Sequence, residues 1–326
     1  MSHQTGRPSG SHRKPKLVVM LSEVWTMIDP HDLAGLVELG AVVEEAGGDG
    51  VLIGDHVALG SNSATEGVPE NPRDWLAGWN QDPHFAHPSS LELLSAIAST
   101  TTDLRLFAVA LLTPLRHPLT VGKQLGTLDL ISRGRLVYLP AVSWHEEEYD
   151  ALDVPFHERG EILDEQLEIW ARAWSDDRID YDGKHFKLKE IYFEPKAWLP
   201  AGPTVWTGGL HLHKAVLRRA VRYASGYFPV APPTPEEMET LGDALGAAGR
   251  SLDEMEFAMW LGRSTPFPDA GSCKSLAEAL DETSDHMGRG ITTFVVKPSQ
   301  YIDDPAQLGD LVRDAASGLA DRWKSV

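Results

Sequence analysis

The chain has 326 residues, 42% of them hydrophobic, enough for a large buried core and against disorder of the whole chain. Its 48 acidic against 29 basic side chains give a formal charge of -19, which repels phosphate backbones and anionic lipid and excludes nucleic acid and membrane surfaces as expected partners. The lone cysteine, Cys273, excludes an internal disulfide, and no apolar run reaches the roughly 20 residues that span a bilayer, so a soluble, cytoplasmic protein is expected.

Residues 1–15 are polar and basic, without the apolar middle of a signal peptide, and predict a disordered lead ahead of a single domain over 16–326. KLVVML from Lys16 predicts a first strand, and the helical spacing of Leu33, Leu36, Leu39 and Val43 predicts a helix that Gly47 and Gly48 stop. A second strand, Asp49–Ile53, runs straight into Gly54-Asp55-His56. From Val57 to Ser90 nothing is periodic, and Trp75, Trp79 and Phe85 are scattered among Pro, Asn, Gly and Ser. A stretch that long inside a domain is read as an insertion over a site (57–90), whose aromatic residues either close a pocket for substrate or pack the loop down.

Helix, strand and helix follow over Leu91–Thr100, Leu104–Leu112 and Pro118–Ile131, and Arg133-Gly134 ends the last of these before a strand over Leu136–Val142. Both strands are apolar runs with little alternation, as expected of parallel strands covered on both faces. Gly160–Trp174 predicts an amphipathic helix, and Tyr181-Asp182-Gly183-Lys184 a hairpin turn within Ile179–Phe193. Strand and helix then alternate through Pro203–Gly209, Leu212–Tyr223, Gly226–Val230, Glu236–Ala248, Met255–Leu261, Ser275–Met287, Ile291–Lys297 and Pro305–Ala320. Eight strand-helix units predict an α/β fold, a (β/α)8 TIM barrel with insertions after strand 2 and before strand 5. A doubly wound sheet with a dinucleotide turn needs G-x-G-x-x-G after the first strand, and Leu21-Ser22-Glu23-Val24-Trp25 has none.

In order, the chain carries Gly54-Asp55-His56-Val57, Leu115-Arg116-His117-Pro118, Gln124–Asp129 with Ser132-Arg133-Gly134-Arg135, Trp144 with Glu147 or Glu148, Val154-Pro155-Phe156 with Arg159, Asp182–Phe186, and Val205-Trp206-Thr207-Gly208-Gly209. Taken together, these resemble the bacterial luciferase-like barrel enzymes, which use flavin mononucleotide (FMN) or the deazaflavin coenzyme F420. The long insertion and Leu163-Asp164-Glu165 resemble the actinobacterial deazaflavin-dependent branch. The resemblance implies an oxidoreductase passing hydride between F420 and a small organic substrate. Its alternatives are an FMN monooxygenase using reduced flavin and oxygen, and a barrel that has lost its cofactor and serves as a binding or partner subunit. Family members often pair as homodimers.

Asp55 and His56 sit at a strand end, where imidazole can exchange a proton near neutral pH or else be a structural histidine bonded to backbone. The resemblance makes His56 the catalytic residue and places Asp55 by the cofactor. It also puts a non-proline cis peptide near Ala108-Val109, against the ring. Gly208-Gly209, before a helix, is either a phosphate cradle or an ordinary tight turn, and the resemblance assigns it to the cofactor phosphate; His211, just beyond it in the chain, offers a further donor. Where relatives read Gly-x-Gly-x-Gly-Trp, the chain has Leu139-Pro140-Ala141-Val142-Ser143-Trp144, so side chains at Leu139, Ala141 and Ser143 fill space that glycine leaves empty and Pro140 removes a ladder donor: either the cofactor sits displaced against Val142, Ser143 and Trp144, with the Ser143 hydroxyl replacing a backbone contact, or its affinity is lost. Trp144 replaces the acidic proton donor of the family's sugar phosphate dehydrogenases, whose reaction is therefore not expected. Arg218, Arg219 and Arg222 either attract the polyglutamate tail of F420 or form a solvated helix face. No metal is expected: His84 and His87, or His211 and His213, have no companion ligands on the first and last strands.

Overall fold

Eight short apolar runs, each too short to fill a core alone, close into one parallel barrel in the computed structural model, which describes residues 13–69, 71, 73, 78–262 and 274–325. In chain order the elements are β1 (Lys16–Met20), α1 (Leu33–Glu45), β2 (Gly50–Ile53), α2 (Ser90–Thr100), β3 (Arg105–Leu111), α3 (Pro118–Ser132), β4 (Leu136–Pro140), α4 (Glu146–Asp150), α5 (Arg159–Ser175), β5 (Ile179–Asp182) and β6 (Lys187–Ile191). They continue with β7 (Thr204–Thr207), α6 (Lys214–Tyr223), β8 (Gly226–Tyr227), α7 (Pro235–Ala247), β9 (Glu256–Trp260), α8 (Leu276–Asp281), α9 (Thr283–Gly288), β10 (Thr293–Val296) and α10 (Leu308–Trp323). The barrel order is β1-β10-β9-β8-β7-β4-β3-β2, and Lys16 pairing with Thr293 closes the ring. Strands β5 and β6 form the expected separate antiparallel hairpin. Two departures concern helices. The stretch 275–287 is broken into α8 and α9, where the buried Thr283 hydroxyl bonds back to the Leu280 carbonyl at 2.7 Å, and α4 is a short helix that the sequence reading does not contain.

Alternation along each strand sorts the core into two layers. Val18, Leu52, Phe107, Val109, Val137, Leu139, Trp206, Phe228 and Val295 fill the barrel interior, while Leu17, Val51, Ile53, Leu106, Ala108, Leu136 and Tyr138 pack under the helices. The N-terminal rim is plugged by charge: Glu256 accepts from Lys16 at 3.1 Å and Arg105 at 2.8 Å, and the Arg105 guanidinium lies 4.9 Å from the Phe107 ring centroid. The chemistry of this fold belongs to the opposite, C-terminal rim. Much of the family pattern serves this scaffold. The His117 ring caps α3 by accepting from Leu119 N–H, and Arg135 donates to the carbonyls of Ala98, Thr101 and Leu104, tying the end of α2 to the turn after α3.

Candidate active site

At the C-terminal ends of β2, β3, β4 and β7 the rim residues are small and half-exposed: Gly54, Ala110, Ala141 and Gly208. Beneath them Val109, Leu139 and Phe228 make an apolar floor, with Trp260 tilted against Phe228 at 4.8 Å between ring centroids. His56 and Gly208 thus share one rim, as the barrel reading requires. The cis peptide lies one bond further on than expected, at Val109-Ala110, where β3 shifts register against β4. Of the predicted pair, Val109 faces the interior and Ala108 faces the helices, because successive strand residues point to opposite sides.

His56 stands on the rim with its side chain 11% exposed, and its Nδ1 is 3.1 Å from Glu148 Oε2. The Glu148 side chain is fully buried and also accepts from the Val57 amide at 2.5 Å and the Ala58 amide at 3.2 Å. Burial pushes this carboxyl up, but the bonds from His56, Val57 and Ala58 outweigh it and hold it below the ordinary carboxylate range. An ionised carboxylate only accepts, so Nδ1 carries the hydrogen, and it is Nε2 that has the lone pair in the neutral ring. Next to Glu148, the buried His145 accepts from Gly60 N–H through Nε2 at 2.7 Å, and Glu147 accepts from Asn62 N–H at 3.0 Å. One face of α4 and its cap therefore holds the start of the insertion by four backbone amides. At Gly60 a Cβ would fall 1.8 Å from Glu147 Oε2, so a larger residue there would displace the Glu147 side chain.

Asp55 does not face the rim opening. Its side chain is 1% exposed, grips Arg116 in two bonds of 2.7 and 2.9 Å, and accepts from the Leu112 amide at 3.0 Å, joining the ends of β2 and β3. Val142 is half-buried, and its carbonyl accepts from the Tyr149 hydroxyl at 2.5 Å. Ser143 takes the left-handed conformation, φ 57°, and its hydroxyl accepts from His145 N–H at 3.3 Å. The position where relatives have glycine thus keeps a glycine-like backbone, and the added hydroxyl is turned to its own loop. The Trp144 ring lies 6.1 Å from His56.

Gly208 is a position where only glycine fits, since a Cβ there would lie 2.2 Å from the Phe228 carbonyl oxygen and 3.1 Å from Leu139. Gly209 is half-exposed, and no side chain caps α6, whose first turn follows. The uncapped first-turn N–H groups suit an anion. His211 is exposed on the same loop, and the Leu212 amide donates to Glu237 at 2.9 Å. Arg219 and Arg218 bond to Asp164, and Arg222 to Glu168 at 2.9 Å, so these arginines fasten α6 to α5. Among the described residues, the one group of three side chains spaced to hold a metal is Glu158, Glu161 and His185, off the rim, and Lys184 already reaches both carboxylates at 3.1 and 2.7 Å.

The sequence reading missed Glu148 as the partner of His56, since the two lie 92 residues apart. It also missed His87, whose ring meets His56 edge-on at 4.9 Å. Trp75 lies outside the described residues.

The sequence model of the family described as luciferase-like monooxygenase matches residues 15–267. An uncharacterized protein of Mycobacterium tuberculosis is 30% identical over 193 residues, covering 59% of this chain and 64% of that relative. An F420-dependent glucose-6-phosphate dehydrogenase of Microbacterium testaceum is 27% identical over 235 residues, 69% of this chain and 62% of that one. The matched segments thus span under two thirds of these curated relatives. Among solved structures, an F420-dependent secondary alcohol dehydrogenase in complex with an F420-acetone adduct superposes with a TM-score of 0.70 at 14% identity, covering 94% of this chain and 99% of that one. That likeness establishes the fold.

Proposed function

Because the chain belongs to the luciferase-like monooxygenase family, we propose that it is an F420-dependent oxidoreductase acting on a small organic substrate, with His56 as the group that takes up or returns the substrate proton. One observation carries this reading: a buried carboxylate, Glu148, lies 3.1 Å from His56 Nδ1 on the rim and so leaves Nε2 as the nitrogen that exchanges a proton. When bound, the deazaflavin supplies the hydride chemistry. The residues present suit it. Val109, Ala110, Leu139 and Ala141 offer an apolar bed, His56 and Trp144 flank it, and Gly208, Gly209 and the uncapped first turn of α6 suit its phosphate. Glu148 is the positioning residue: it holds the tautomer and the angle of His56 and ties the loop at Val57 and Ala58.

A second reading, reduced FMN with oxygen, follows the activity in the family's own description. Absorbance-monitored titration of the purified chain with each cofactor separates them. Binding of the deazaflavin alone supports the proposal, binding of FMN alone supports the monooxygenase, and binding of neither leaves a barrel without a cofactor. His56→Ala is expected to keep cofactor affinity and to lower turnover about 10²-fold or more; unchanged turnover removes the role.

A further inference from the structure

Six rings run in an unbroken line across the rim. Trp79 meets Trp144 at 5.2 Å between centroids, Trp144 meets His56 at 6.1 Å, His56 meets His87 at 4.9 Å, His87 meets Phe85 at 5.2 Å, and Phe85 meets Trp25 at 6.3 Å. Three of the six come from the insertion, so the loop contributes half the wall. Trp79 is 46% exposed, a large apolar surface left in water against Trp144. Two further observations concern polarity. His87 Nε2 is buried without a hydrogen bond, and burial pushes the ring down to about 4, so it is a neutral imidazole with an unused polar atom next to His56. The cations around the rim are each engaged: Arg116 by Asp55, Arg159 by the carbonyls of Ser143 and Phe156, Lys297 by Glu23, and Arg73 by Asp303 and the Ser299 carbonyl. A phosphorylated or carboxylated substrate would meet no uncommitted side-chain cation there among the described residues, and it would lie near the Glu148 charge.

We propose that this wall selects an uncharged, flat, ring-bearing ketone or alcohol, which lies against Trp79 and Trp144 and hydrogen-bonds through its oxygen to His87, beside His56. The inference rests on the reading of His56 and its rim as the active site, and it adds the substrate class and a specificity residue, His87. An aromatic face rewards a flat apolar ring, and the unpaired imidazole nitrogen rewards a neutral oxygen.

Calorimetric titration tests this on the full chain, both free and loaded with the deazaflavin coenzyme, with acetophenone and glucose 6-phosphate as probes. Acetophenone is expected to bind at least about tenfold more tightly than the sugar phosphate. Trp79→Ala and His87→Ala are each expected to weaken acetophenone about fivefold, and His87→Gln, which keeps a hydrogen-bonding side chain, to restore part of the loss. Trp79 is exposed, so its variant folds even where a change at His87 disturbs packing, and the wild-type selectivity is read without any variant. Tighter or equal binding of glucose 6-phosphate overturns the proposal, as does acetophenone affinity unmoved by Trp79→Ala. Failure of the coenzyme to bind strikes the proposed function instead, and the titrations of the free chain still judge the wall.

Discussion

Replacing Glu148 with Gln keeps the shape of the side chain and removes its charge. In the native protein one carboxylate serves three donors: His56 Nδ1 at 3.1 Å and the amides of Val57 and Ala58 at 2.5 and 3.2 Å. A carboxamide has one oxygen. If that oxygen keeps the two amides, its NH2 group faces Nδ1, which must then accept, and the imidazole hydrogen moves to Nε2. The lone pair that would receive the substrate proton is lost while the ring stays in place. Turnover is expected to fall about 10²-fold, equivalent to about 2.7 kcal/mol of transition-state stabilisation, with cofactor affinity unchanged. Stability is expected to fall by about 1–2 kcal/mol as a charge-assisted bond is exchanged for a neutral one. Nitrogen-15 spectra of His56 read the tautomer directly, and absorbance of the deazaflavin reads the turnover. A histidine still protonated at Nδ1 in the variant, or turnover within twofold of the wild type, refutes the reasoning.

Arg116→Ala leaves the Asp55 carboxylate buried without its partner, and denaturant unfolding should show a loss of about 3–5 kcal/mol; a loss under 1 kcal/mol would mean that the pair does not hold the rim. Ser143→Gly should be neutral or stabilising by up to about 1 kcal/mol, while Ser143→Val should cost about 1–2 kcal/mol, because a β-branched residue resists φ 57°; equal effects would show that the backbone angle is not the constraint. Gly208→Ala should cost about 1–3 kcal/mol and weaken cofactor binding, since its Cβ meets the Phe228 carbonyl oxygen at 2.2 Å; wild-type stability and affinity would contradict the close approach. His87 is depressed from 6.5 to about 4, so the unfolded chain binds the extra proton first, and stability falls as pH drops from about 6.5 towards 4, by about 3 kcal/mol at most. His87→Phe should flatten that slope, and an unchanged slope would show that another group carries it.

The eight barrel strands are legible because parallel strands buried on both faces are short, almost unbroken apolar runs such as Leu17–Leu21 and Leu136–Leu139, bounded by glycine and charge. The site is legible only as positions. That His56 ends a strand follows from the pattern, but its partner comes from a five-residue helix that joins it across 92 residues. No periodicity encodes such a meeting. Asp55 shows the converse. Its place beside His56 suggests the cofactor, yet alternation turns it away from the opening towards Arg116, and telling the two apart requires knowing how β2 and β3 pack. The cis peptide likewise coincides with the register shift between β3 and β4, a property of the pair rather than of either strand.

The attachment of residues 57–62 to His145, Glu147 and Glu148 has a consequence for swapping specificity between relatives. A donor loop transplanted alone would arrive without the three side chains that anchor it, and it would release the carboxylate that steadies His56 at the same stroke. The exchangeable cassette is therefore split in the gene, and a chimera should carry the 57–62 and 145–148 segments together or expect to lose proton transfer along with substrate choice.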